Sequence, residues 1–372
     1  MARQRTLMTA LAASLVFGLA ACGGGDEPAA GGGAAASGSG GGGDAASEGK
    51  VGVILPDTES STRWESFDRP LLLKAFEEAG IEADVQNAQG DAQRMQTIAD
   101  QMITSGVTVL AIVNLDNASG AQIQSQAEQQ GVATIDYDRL TLGGSAEYYV
   151  SFDNTEVGRL QGQGLADCLG DKDANIVFLN GSPDDSNATS FSNGAHEVLD
   201  KITKYKQVSE QAVPGWDPVE AATIFEQMYT QNGGNIQGVL AANDQLGNAA
   251  IQTLQRNGQA GQVPVTGQDA SVEGLQNILA NRQCMTVYKS AAEEANALAE
   301  LAISLINGEE QPDIVNGESE DAEGGRTVPS VLLKPVAITR ENVKDVVDDG
   351  QVTAADLCTG EYAAACTELG IQ

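Results

Sequence analysis

The sequence predicts an α/β protein made of two doubly wound parallel sheets in tandem. Three observations carry that prediction. From Lys50 onward, short apolar runs alternate with amphipathic helical stretches, the β-α rhythm that buries a parallel sheet between helix layers. The same rhythm restarts after Asn154, which calls for a second sheet. At 372 residues the chain also exceeds what one hydrophobic core usually serves.

In chain order, Val51 to Leu55 reads as a buried strand. Trp64 to Ala79 has helical apolar spacing and stops at Gly80, and Glu82 to Gln86 is the next strand. Helix 92–105, strand 107–113, helix 119–130 and strand 132–137 follow. After a turn at Gly143-Gly144, the apolar run Tyr148 to Val150 leads into Ser151-Phe152-Asp153-Asn154. In the second half the expected strands are 175–179, 206–211, 238–241, 263–266 and 285–288. The expected helices are 155–168, 187–199, 218–231, 245–257 and 272–279. A helix over 291–306, an acidic loop through Gly325 and a strand-like 330–334 complete the pattern.

Polar side chains collect where strands end, the edge at which open α/β sheets bind ligands. Asp57 follows the first strand, Asn114 to Asn117 the third, and Asp138-Arg139 the fourth. In the second half Asp184 to Asn187, Trp216, Asn243-Asp244, Gln268-Asp269 and Lys289 hold equivalent places. Carboxylate, amide, guanidinium and ammonium groups beside tryptophan suit a sugar. The polar groups take adjacent hydroxyls, and the aromatic faces cover C–H patches. A lone Asp or Asn at such a place is more often a helix cap, and Asp184 and Asn187 fit that role too. Caps alone do not call for Arg139, Lys289 and two tryptophans alongside.

Composition narrows the partners. A net charge of -32 and a pI near 4.1 exclude nucleic acid and anionic lipid as ligands, since both need a basic surface. The pair Gly162 and Gly164 falls inside a helical run, so it is not a dinucleotide fingerprint. No phosphate loop, CxxC or clustered histidine asks for a cofactor or metal, and the sole histidine, His196, is isolated. A glycosidase pair of Asp138 and Asp269 fails because Arg139 and Lys289 would keep both carboxylates ionised, leaving no proton donor.

The amino-terminal stretch is read as export apparatus. Arg3 and Arg5 precede an apolar core, Leu7 to Leu19, too short for a comfortable membrane span. Leu19-Ala20-Ala21-Cys22 resembles the bacterial lipobox, which implies a signal peptide over 1–21 and a lipid on Cys22. Residues 22–49 are mainly Gly, Ala and Ser and read as a tether. Four further cysteines lie in a compartment where disulfides persist. They allow three connectivities, of which Cys358 with Cys366 and Cys168 with Cys284 are the expected pairs.

The motifs Arg63-Trp64, YDR at 137–139, SFDN at 151–154, GSP with Asn187-Ala188, Gly215-Trp216, Asn243-Asp244, GQDA at 267–270 and TVYK at 286–289 appear in order between Val51 and about Asp345. Together they resemble the xylose-binding members of the bacterial ABC sugar-importer binding proteins, a family with the periplasmic binding protein type I fold. The resemblance implies two lobes, residues 50–152 with 290–333 and residues 153–289 with 334–372, joined by three hinge crossovers. It places Arg63, Trp64, Asp138, Arg139, Asn187, Trp216, Asn243, Asp269 and Lys289 around a monosaccharide, D-xylose first. It further implies a non-enzymatic, monomeric carrier on the outer face of the cytoplasmic membrane that serves a permease with a cytoplasmic ATPase. A sugar receptor for a membrane sensor is the alternative. The loop PDTESSTRW and Pro214 depart from the family pattern, and bear on which sugar is preferred.

Overall fold

The computed structural model describes residues 49–309 and 312–372; the leader, most of the tether and Cys22 lie outside them. Strand β1 (Lys50–Leu55) leads to a π-helical turn, Trp64–Asp68, that runs into α1 (Arg69–Ala79). Then come β2 (Glu82–Asn87), α2 (Ala92–Thr104), β3 (Val109–Ile112), α3 (Asn117–Gln129), β4 (Ala133–Tyr137) and β5 (Tyr148–Phe152). The second half holds α4 (Asn154–Leu169), β6 (Ala174–Asn180), α5 (Ser186–Leu199), β7 (Tyr205–Ala212), α6 (Pro218–Gln231), β8 (Gly238–Ala241), α7 (Asp244–Arg256), α8 (Val272–Leu279) and β9 (Thr286–Tyr288). The chain then forms α9 (Ala291–Ile306), β10 (Gly317–Asp321), β11 (Arg326–Leu333), β12 (Val336–Ile338) and a tail of short helices, α10 (Val343–Asp348), α11 (Ala354–Leu357) and α12 (Ala363–Glu368).

Helices begin where a polar residue at the strand's end takes up their free amides. Asp91, Asp116, Asp153, Asp185, Asp217, Asn243, Ser271 and Ser290 all accept from a first-turn N–H. The cap of α5 is therefore Asp185 rather than Asp184 or Asn187.

Seven strands form one sheet in the order β10-β11-β5-β4-β3-β1-β2. All neighbours run parallel except the β10–β11 hairpin. The acidic stretch expected as loop thus contains an edge strand. Its glutamates face solvent, while buried Asp321 accepts from Gly143 N at 2.8 Å and pins the hairpin to the β4–β5 turn. The second sheet has three parallel strands, β7-β6-β8. The strand expected over 263–266 is reduced to isolated bridges, Val265 with Val239 of β8 and Val263 with Ala260, because Pro264 has no N–H to give to a ladder. Strand β9 pairs antiparallel with β12 in a separate ribbon.

Each sheet has its own core. Val53, Leu55, Phe76, Tyr137 and Leu298 lie in one, and Val177, Leu179, Phe225, Leu246 and Val265 in the other. The chain passes between the sheets three times, after β5, after β9 and after β11. These passages are tied together: Tyr288 pairs with Val336, and Asp153 N donates to Leu333 O at 3.0 Å. Disulfides join Cys168 at the end of α4 to Cys284 before β9, with Cα atoms 6.5 Å apart, and Cys358 to Cys366 in the tail, at 5.8 Å.

Candidate ligand-binding site

The carboxyl ends of both sheets meet around a cavity with about 300 Å³ of unfilled space. All nine side chains singled out from the sequence line it. Ser60, Ser61, Asp185, Phe191 and Gln268 complete its wall. Every lining residue is at most 6% exposed, so a ligand enters only when the two sheet edges part.

Local backbone geometry aims these groups. Asp138, Trp216 and Asp269 have φ of 60°, 57° and 91°, a region that non-glycine residues enter only when their surroundings over-determine it. Asp138 is held there by its neighbours: its N–H donates to Val150 O at 2.8 Å. Its carbonyl accepts from Tyr149 Oη, Ser151 Oγ and Asn187 Nδ2 at 2.8, 2.8 and 2.7 Å. Trp216 packs on Gly181, where a Cβ would lie 2.0 Å from the indole, so the GSP glycine is required by this close approach. The π-helical turn, whose wide ring is closed by Arg69 N donating to Trp64 O, carries Trp64 to the cavity and Asp68 beneath it.

The electrostatics centre on Asp138. Arg63 Nη1 and Lys289 Nζ donate to its Oδ2 at 2.9 and 3.1 Å. Burial alone would raise this carboxyl, but Lys289, Arg63 and Arg139 together hold it down at about 2, so it is ionised at any physiological pH. Lys289 also lies 3.8 Å from Asp269; burial disfavours its charge, yet the two carboxylates keep it raised. Arg63 is fully engaged: Nε and Nη2 donate to both oxygens of Asp68 at 2.8 and 2.7 Å, and Nη2 also reaches Glu294. Burial pushes Glu294 up to about 8 against the pull of Arg63, so near neutrality it holds a proton.

Arg139 does not pair with Asp138 or Asp269, as the sequence suggested. Its Nε sits 3.0 Å from Asp185 Oδ2, out of line for a hydrogen bond, and its guanidinium lies 5.6 Å over the Trp64 ring. That of Arg63 lies at 4.7 Å, both within cation-π range. Gln268 Oε1 is buried with no donor. Arg139 Nε and Gln268 Oε1 thus leave one donor and one acceptor of the wall without an aligned protein partner, and such buried groups call for one. Asn187 and Asn243, by contrast, are already occupied. Asn187 Oδ1 accepts from Asn154 Nδ2 at 2.8 Å, with Tyr149 Oη 2.9 Å away. Asn243 caps α7 through Oδ1 while its Nδ2 donates to Ser60 O at 3.1 Å.

Contacts cross from one sheet's edge to the other. Ser61 Oγ donates to Asp269 Oδ2 at 2.8 Å, and Asn243 and Lys289 reach Ser60 and Asp138 as described. The serines were missed because nothing in PDTESSTRW marks them. Asp57, the only strand-end residue noted there, folds the loop by accepting from Glu59 N and Ser60 N at 2.9 and 2.7 Å. His196 lies away from the cavity, stacked on Phe178 between Asp200 and Glu210.

The family model described as periplasmic binding protein domain matches residues 51–310, most of the chain. The chain belongs to the periplasmic binding protein family. The D-xylose-binding periplasmic protein of Escherichia coli K12 is 36% identical to it, over 82% of this chain and 91% of that one. The multiple sugar-binding periplasmic receptor ChvE of Rhizobium radiobacter is 32% identical, over 84% and 93%. Among solved structures, an ABC transporter solute-binding protein from Clostridium phytofermentans with bound β-D-glucose superimposes with a TM-score of 0.75 at 27% identity, covering 83% of this chain and 99% of that one. The fold is accordingly the α/β periplasmic binding protein type I fold. Among the described residues, no helix is long and apolar enough to cross a membrane.

Proposed function

We propose that this protein is the substrate-binding lipoprotein of an ABC sugar importer, and that it holds one neutral monosaccharide, D-xylose foremost, in the cavity described above. The observation that carries the reading is the make-up of that wall. Arg63, Arg139 and Lys289 are matched by Asp138, Asp185 and Asp269 in one closed space beside Trp64 and Trp216. Balanced charge offers donors and acceptors to hydroxyls without attracting an ion, and the rings cover a sugar's apolar faces. The space is small and walled by two tryptophans, which favours a single pyranose over an oligosaccharide. The names of the relatives support a sugar and leave pentose and hexose open.

In this reading residues 50–152 with 290–333 and 153–289 with 334–372 are two lobes that open and close about the three crossovers, near Asp153, Lys289 to Ala291 and Lys334-Pro335. Sugar bridging both edges shifts the equilibrium towards closure. The site serves binding rather than chemistry, since Asp138 is held ionised and cannot donate a proton. Calorimetry on the mature chain across pentoses and hexoses is expected to give 1:1 binding, with xylose among the tightest ligands. Failure of every monosaccharide to bind would sink the proposal, whereas a clear preference for glucose or ribose would remove only the xylose assignment.

The Leu19 to Cys22 motif supports lipidation of Cys22 and anchoring on the outer face of the cytoplasmic membrane as a monomer, with the permease and its ATPase as partners. Cys22→Ser is expected to release the protein from the membrane or leave it unprocessed. Wild-type fractionation and processing of that variant would refute the anchor.

A further inference from the structure

We propose that the carboxyl-terminal tail is a latch for the closed state, and that Gln351, Asp349 and Phe67 are its working parts. None of them touches the cavity, so they act on the sugar site through other residues. The inference rests on the sugar-binding reading above only for its ligand measurements.

The tail hydrogen-bonds the crossover that carries Lys289. Asp349 Oδ2 accepts from Tyr288 Oη and from Ser290 Oγ, the latter at 3.1 Å. Gln351 Oε1 accepts from Ala291 N at 2.9 Å, and its Nε2 donates to Asp269 O at 3.4 Å. One amide side chain thus bridges the crossover on one side of Lys289 and the strained loop bearing Asp269 on the other. Asp269 N donates to Val287 O at 2.9 Å, so Gln351 closes a ring around the Lys289–Asp269 pair.

The tail also makes an apolar seat. Helices as short as α10, α11 and α12 do not stand alone in water. Here they share a buried cluster with α8, in which Leu275, Val346, Val352 and Leu357 pack together. The Cys358–Cys366 bridge closes the tail on itself, and Gln276 Nε2 donates to Leu357 O at 3.2 Å. Half-buried Phe67 packs against this cluster. Phe67 does not belong to that side of the molecule. Its π-helical turn rests on α1 and α9, over the seven-stranded sheet, and the same turn presents Trp64 to the cavity. A contact that joins the two halves outside the cavity adds stability to the closed form alone, and therefore slows opening without reading the ligand.

The test uses the full mature chain with Phe67→Ala, Phe67→Leu and Gln351→Ala. In the absence of sugar, hydrogen exchange at the Ala291 amide is expected to quicken in Gln351→Ala and to stay as in wild type in Phe67→Leu. With the tightest monosaccharide of the panel, Phe67→Ala is expected to dissociate about tenfold faster, as interface changes act mainly on release. Its order of preference among sugars should be unchanged, and Phe67→Leu should restore most of the loss. A purely structural role would lower the melting temperature without this split between release rate and selectivity. Wild-type dissociation in Phe67→Ala together with wild-type exchange in Gln351→Ala would overturn the latch. If the wild-type chain binds no sugar, the functional reading falls, and the exchange measurement still decides whether Gln351 holds the crossover.

Discussion

Arg63→Ala is expected to cost about 3–5 kcal/mol of folding stability, the range found when one partner of a buried ion network is removed. Arg63 is 3% exposed, and its guanidinium serves Asp68, Asp138 and Glu294 at once. Without it, three buried carboxyls face one another, with Lys289 the remaining ion-pair partner of Asp138 and Arg139 acting from further off. They respond by binding protons more tightly, which gives the loss a sign in pH. Glu294 already titrates at about 8, above its unfolded value, so the folded state holds the extra proton and stability falls as pH rises towards that value. Removing Arg63 raises Asp68 and Glu294 further and relaxes the depression of Asp138, so the variant should lose stability more steeply with rising pH than wild type. Urea unfolding of both proteins on either side of about 8 measures this; parallel pH profiles would show that Arg63 is not the counter-charge of the network.

Asp138→Ala is expected to weaken monosaccharide binding by roughly 2–5 kcal/mol, the cost of stranding a buried charged partner. That corresponds to roughly thirty-fold to a few thousand-fold in Kd. Two causes add. Arg63 Nη1 and Lys289 Nζ lose the carboxylate oxygen they share at 2.9 and 3.1 Å, and two cations then turn towards a neutral ligand. Alanine also accepts the left-handed backbone at this position, φ 60°, less readily than aspartate. Asp138→Asn keeps the shape and tolerates that φ while losing only the charge, so it should fall between alanine and wild type. Calorimetry on the three proteins separates the terms. Equal affinity in all three would remove Asp138 from the site.

Much of the fold is legible because its signals are local. The bounds of α6, α8, α9 and β8 coincide with the expected spans, since their apolar periodicity and flanking caps or glycines lie within a few residues. The strand-end rule found Asp138 for the same reason: in a parallel sheet the residue that ends a strand is delivered to one edge whatever its partners. Asp269 and Lys289 reach the same cavity from an isolated bridge and an antiparallel ribbon, outside the parallel ladders that the rule assumes. What failed was also local in cause. Pro264 unmade a strand through one missing donor, and the alternating glutamates of β10 read as a loop because an edge strand with solvent on its open side has little apolar pattern to show.

By itself, then, the sequence determined two βα repeats, the edges at which polar groups gather, and a set of residue types suited to hydroxyls. Only the tertiary structure decided which charge meets which. It gave Arg139 to Asp185 instead of to Asp138, gave Arg63 three carboxyl groups, brought Ser60 and Ser61 into the wall and set Asp185 as the cap of α5. The physical reason is range. A strand or a cap is settled by neighbours along the chain, whereas an ion pair such as that of Arg139 with Asp185 depends on how two sheets close upon each other, and where so little of either side chain is exposed a small shift changes the partner.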